Sequence, residues 1–80
     1  MNTIFIGRYI TGGLIYDYSG IWIRHQARID WKAIVRNEDV VCRPSGTIGE
    51  GINDADAELV INRLVELSIE EALQQRKRKR

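Results

Sequence analysis

At 80 residues, 44% hydrophobic and 29% charged, the chain holds one small core, which excludes a deep cleft between two lobes, and its composition excludes a disordered or collagenous protein. A single cysteine, Cys42, excludes an intramolecular disulfide framework, and a single histidine, His25, leaves too few soft ligands for structural zinc. The net charge of +1 hides a segregation: residues 1–36 carry five basic and two acidic side chains, residues 37–75 two basic and nine acidic, and Arg76 to Arg80 are all basic.

The run TIFIGRYI, Thr3 to Ile10, is rich in β-branched and aromatic residues, and Thr11-Gly12-Gly13 then offers a hairpin turn into Leu14 to Tyr18. Ser19-Gly20 reads as the next turn. From Ile21 the pattern alternates. Ile21, Ile23, His25, Ala27, Ile29, Trp31, Ala33 and Val35 fall on one side, and Trp22, Arg24, Gln26, Arg28, Asp30, Lys32, Ile34 and Arg36 on the other. A helix competes here, because Ile23, Ala27, Trp31 and Ile34 are three or four apart, but the β-branched content favours a strand. Sixteen residues at about 3.3 Å each exceed so small a domain, which predicts a bulge, bend or break near residues 25–28. Arg36-Asn37-Glu38-Asp39 reads as a turn into Val40 to Arg43, opposing Val35 to Val40 and Ala33 to Cys42.

Pro44 to Asn53 reads as a loop, since Gly46, Gly49 and Gly51 disfavour regular structure. A helix follows. Asn53 or Asp54 can cap it, Asp56 and Glu58 suit its positive end, and Val60, Ile61, Leu64, Val65 and Leu67 supply an apolar stripe. Ser68-Ile69-Glu70-Glu71 matches a capping box, so the helix either breaks there or runs to about Gln75. The predicted architecture is α+β: a small antiparallel sheet of about four strands with a C-terminal amphipathic helix packed on one face. It spans residues 2–75, followed by a disordered basic tail at 76–80.

The candidate chemistry is sparse. Cys42 and His25 are the nucleophile and base at hand, but the predicted register holds them about 26 Å apart. The loop G-T-I-G-E-G, residues 46–51, lacks the lysine and spacing of a phosphate cradle, and Glu50, Asp54 and Asp56 place negative charge where an anion would sit. Asp54, Asp56, Glu58, Glu70 and Glu71 read as a solvated helix face rather than an acid–base pair or magnesium site. No catalytic, cofactor or metal residue is therefore assigned.

The strongest non-random feature is the row Arg24, Arg28, Lys32 and Arg36, spaced by four with Trp22 at its end. Such a row can dock an acidic protein surface or hold phosphates beside a stacking ring. A solvent-facing strand also needs charges to discourage edge aggregation. The reading is a small non-enzymatic interaction protein that docks on a macromolecular partner, a protein first, through its sheet or helix surface, with homodimer formation expected. The alternative is a non-specific nucleic-acid-binding accessory protein that adds Arg76, Lys77, Arg78, Lys79 and Arg80 as a phosphate-contacting arm. Arg8, Gly12-Gly13 and Asp17 interrupt the N-terminal apolar stretch, so neither a signal peptide nor a membrane span is expected, and the chain reads as cytoplasmic.

Overall fold

The computed structural model describes residues 2–49 and 51–78, the side chains of 77 and 78 excepted. Strands β1 (Asn2–Thr11), β2 (Leu14–His25), β3 (Arg28–Asn37), β4 (Asp39–Cys42) and β5 (Ser45–Ile48) precede helix α1 (Asp54–Arg78). The strands form one antiparallel sheet in the order β1-β2-β3, with β4 and β5 both paired to the far side of β3. The predicted α+β architecture holds.

Two tight turns set the register. Gly12 and Gly13, at φ 58° and 78°, join β1 to β2, the paired positive angles that match the twist of a two-residue hairpin. Gln26 and Ala27 join β2 to β3, with Gln26 at φ 56°. That second turn is the expected break near residues 25–28, and it corrects the alternation. His25 pairs with Arg28, so odd residues in β2 share a face with even residues in β3. Trp22 therefore joins Ile29, Trp31, Ala33 and Val35 in the core, while Ile21 and Ile23 turn to the other face.

Ser19-Gly20 is not a turn but the middle of β2. Gly20 is there because a Cβ would strike the Lys32 carbonyl oxygen and lie 2.7 Å from the Phe5 ring and 2.9 Å from Ala33 Cα. The expected loop at 44–53 also contains structure: β5 satisfies the backbone of Ile29–Lys32, and Ala33 N–H donates to the Pro44 carbonyl at 2.9 Å. A register shift between Val35 and Arg36 places Val40 opposite Arg36, one residue from the expected Val35, and Cys42 opposite Val35, two residues from the expected Ala33.

Helix α1 lies across one face of the sheet. Ala57, Ile61, Val65 and Ile69, every fourth residue, are completely buried against Phe5, Tyr16, Tyr18, Trp22, Ile29, Trp31, Ala33, Val35 and Ile48. A line of i+4 side chains is one ridge of a helix, so Leu67, expected in the stripe, stands on the solvent side. Polar contacts tie the helix down along its length. Arg24 binds Asp54 and the Ile52 carbonyl, Tyr18 donates to Asn62 at 3.0 Å, and Tyr9 and Thr11 both donate to Glu70. Asn53 Oδ1 accepts from the Asp56 amide at 2.8 Å and caps the first turn.

The helix does not break at Ser68, whose hydroxyl donates to the Leu64 carbonyl one turn back. It continues through Arg76 to Arg78, past the boundary expected at residue 75. Glu50, Lys79 and Arg80 lie outside the described residues, as do the side chains of Lys77 and Arg78.

Candidate functional site

One helix covers one face of a sheet, so the residues of opposite parity on β1, β2 and β3 form an open face. Across the strands it is built in rows. Ile10 faces Ile15; Arg8 faces Asp17, which faces Arg36; Ile6 and Ile34 flank Ser19; and Ile4, Ile21, Lys32 and Ser45 follow one another. Ile23, Asp30 and Thr47 make the next row, and His25 and Arg28 close the end.

Those rows leave a band of aliphatic side chains in solvent. Ile4 is 73% exposed, Ile6 77%, Ile10 64% and Ile15 47%, and Ile21, Ile23 and Ile34 are half-buried beside them. A shallow depression runs through the band, lined by Ile4, Gly20, Ile21, Ala33 and Ile34 together with Lys32 and Arg43. Isoleucine contributes apolar area and no hydrogen bond, so the band can exclude water from an apolar surface, while the polar groups along the depression come from Ser19, Ser45, Lys32 and Arg43.

Charge borders the band. Arg8 pairs with Asp17 at 2.8 Å, and Arg28 and His25 lie 3.7 Å and 3.5 Å from Asp30. Lys32 and Arg36 stand on the same face in exposed positions. With four lysine or arginine side chains against two aspartates, this face is basic.

The expected cationic row is split. Arg28, Lys32 and Arg36 share β3 and the open face, whereas Arg24 lies on β2 and points to the helix side, where it holds Asp54 and the Ile52 carbonyl. Trp22 is buried beneath the helix, 5% exposed. The same turn that corrects the alternation separates them, because Gln26-Ala27 reverses the chain in the middle of the row. All six aromatic residues, Phe5, Tyr9, Tyr16, Tyr18, Trp22 and Trp31, have the parity of the helix-covered face. On the open face the ring available to stack a base is the His25 imidazole, at the end beside Arg28.

The other candidates do not converge. Cys42 lies opposite Val35 and His25 opposite Arg28, which are about 23 Å apart along β3. Burial raises the Cys42 thiol above its ordinary value, with Arg76 opposing the shift, so it is a poor thiolate. No group of three His, Cys, Asp or Glu side chains gathers to hold a metal ion among the described residues. None of the described helix is long and apolar enough to cross a membrane.

The exposed isoleucines were absent from the sequence-derived site. Their trace was present all the same, because Ile4, Phe5 and Ile6, and again Ile21, Trp22 and Ile23, are apolar at both parities. A strand apolar on both sides needs two covering layers, and the described residues form one helix. Comparison with family models, with curated proteins and with solved structures finds no match.

Proposed function

We propose that this protein is a non-enzymatic interaction module that binds a protein partner through the open face of its sheet, the apolar isoleucine band making the contact and the basic border selecting an acidic rim. The observation that carries this reading is the exposure of Ile4, Ile6, Ile10 and Ile15 on one face that the helix leaves uncovered. Contiguous aliphatic surface bordered by charge is what a partner desolvates and steers toward, and a soluble monomer gains nothing by presenting it to water. The reading places the protein in the reducing cytoplasm, with Cys42 as a free thiol.

Nucleic acid is the second reading, favoured by the retained trio Arg28, Lys32 and Arg36 on one strand face and by the basic run Arg76 to Arg80. It is the weaker of the two, since every Phe, Tyr and Trp has the parity of the helix-covered face and the His25 ring stands at one end of the open face, so phosphate contacts give affinity with little of the stacking that holds single strands. Affinity capture from the source cells, with and without nuclease, separates the readings when wild type is compared with Ile15→Lys/Ile34→Lys. Partners that survive nuclease and are lost with the double variant support the apolar face. Partners that vanish with nuclease and ignore the isoleucines support the second reading.

A further inference from the structure

The sheet has two edges, and they are built in opposite ways. The far edge consists of β4 and β5, four residues each, interrupted at Arg43-Pro44 and bent by the register shift at Val35/Arg36. Short strands, a proline and a bulge are the devices by which a sheet prevents another strand from adding to it. Strand β1 has none of them. All ten of its residues pair in unbroken register with β2, it contains no proline, and its one charged side chain, Arg8, is held by Asp17 at 2.8 Å. An antiparallel ladder satisfies β1 on one side only, so half of its N–H and C=O groups point outward, and no backbone partner meets them among the described residues.

We infer that β1 is a strand-pairing edge and that its occupant is a second copy of this chain, joined antiparallel by a two-fold axis near Ile6 and Gly7. The inference goes beyond the interaction-module reading above, since the second copy meets the β1 edge and leaves the open face to the protein partner. Two-fold pairing uses up the one long free edge of each copy and leaves the two blunted edges outermost, so assembly closes at two rather than propagating. The side-chain pattern is its own complement. With the axis at Ile6 that residue meets its own copy, and with the axis at Gly7, Ile4 meets Ile10 of the second copy. Both registers keep isoleucines on one face and the helices on the other. Neither sets Arg8 against its own copy, the arrangement that like charges directly opposite would penalise. The isoleucine bands of the two copies then merge into one surface, twice the length, for the protein partner.

Amide hydrogen exchange of the full chain, measured by NMR from low micromolar to near-millimolar protein, tests the inference. Alternate amides along β1 exchange freely in dilute solution and become protected as the mass measured by light scattering doubles, while β4 and β5 do not change. A monomer mass with unprotected alternate β1 amides at the highest concentration overturns it. Cross-linking identifies the geometry. In a Cys42→Ser background, Ile6→Cys copies lie within about 8 Å in either register and a short bis-maleimide joins them, whereas Ile21→Cys copies, about 14 Å apart across the strands and about 13 Å or more along them because Ile21 pairs with Ile4, stay unlinked. Linkage through position 21 and not position 6 means stacking of the open faces, which overturns the edge pairing and leaves the partner-binding reading standing. Protection of β1 only on adding a different protein overturns the second copy as occupant.

Discussion

Replacing Ile4 and Ile6 together with threonine tests whether these side chains serve the fold or something outside it. Complete burial of an isoleucine contributes about 1.5–3 kcal/mol. At 73% and 77% exposure each residue has about a quarter of its surface covered, so the pair contributes roughly 1 kcal/mol. Threonine keeps the β-branch and the strand propensity. Urea unfolding at low micromolar protein, where association adds little to apparent stability, should show a loss near that value with an unchanged slope. Ile61→Ala, at a completely buried position on the helix ridge, should cost about 2–5 kcal/mol in the same assay. A loss above about 3 kcal/mol for the threonine pair would mean that these isoleucines are covered in the folded chain, and the open face would then not be open.

Gly20→Ala should destabilise by about 2–3 kcal/mol in the same experiment despite alanine's better backbone entropy, because its Cβ enters the space of the Lys32 carbonyl and the Phe5 ring. Arg28→Glu/Lys32→Glu should leave the fold within about 1 kcal/mol of wild type, since both positions stand on the open face, and should weaken partner capture about tenfold or more; circular dichroism and binding isotherms read the two separately. Stability should fall as the solution becomes alkaline. The hydrogen bond to Glu70 raises the Tyr9 hydroxyl above its ordinary value of 10.0, with burial adding to the shift, and burial raises Tyr18. A folded value above the unfolded one stabilises fully below the unfolded value and is lost as pH rises through the folded one. The urea midpoint should therefore decline above about pH 10, and Tyr9→Phe should flatten that decline.

The helix and the core of β3 were legible in the sequence because each follows one uninterrupted period: Ile29, Trp31, Ala33 and Val35 alternate, and Ile61 and Val65 recur at helical spacing. The face of β2 was not, because a two-residue turn at Gln26-Ala27 has no glycine or proline to announce it and inverts the parity of everything before it. Gly20 misled for a related reason. Glycine marks turns and close approaches alike, and only the packing of Lys32 and Phe5 above it distinguishes the two. The cationic row was half legible: Arg28, Lys32 and Arg36 lie together as spacing by four demands, while Arg24 belongs to the neighbouring strand and serves the helix N-terminus.

The claim that most needs testing is that the open face, and not the helix, meets the partner. A photo-reactive phenylalanine analogue placed at Ile34, in the middle of the open face, and separately at Leu67, on the solvent side of α1, can be activated in the source cells and its adducts resolved by mass. The account predicts a discrete protein adduct from position 34 and none from position 67. Adducts from position 67 alone would contradict it.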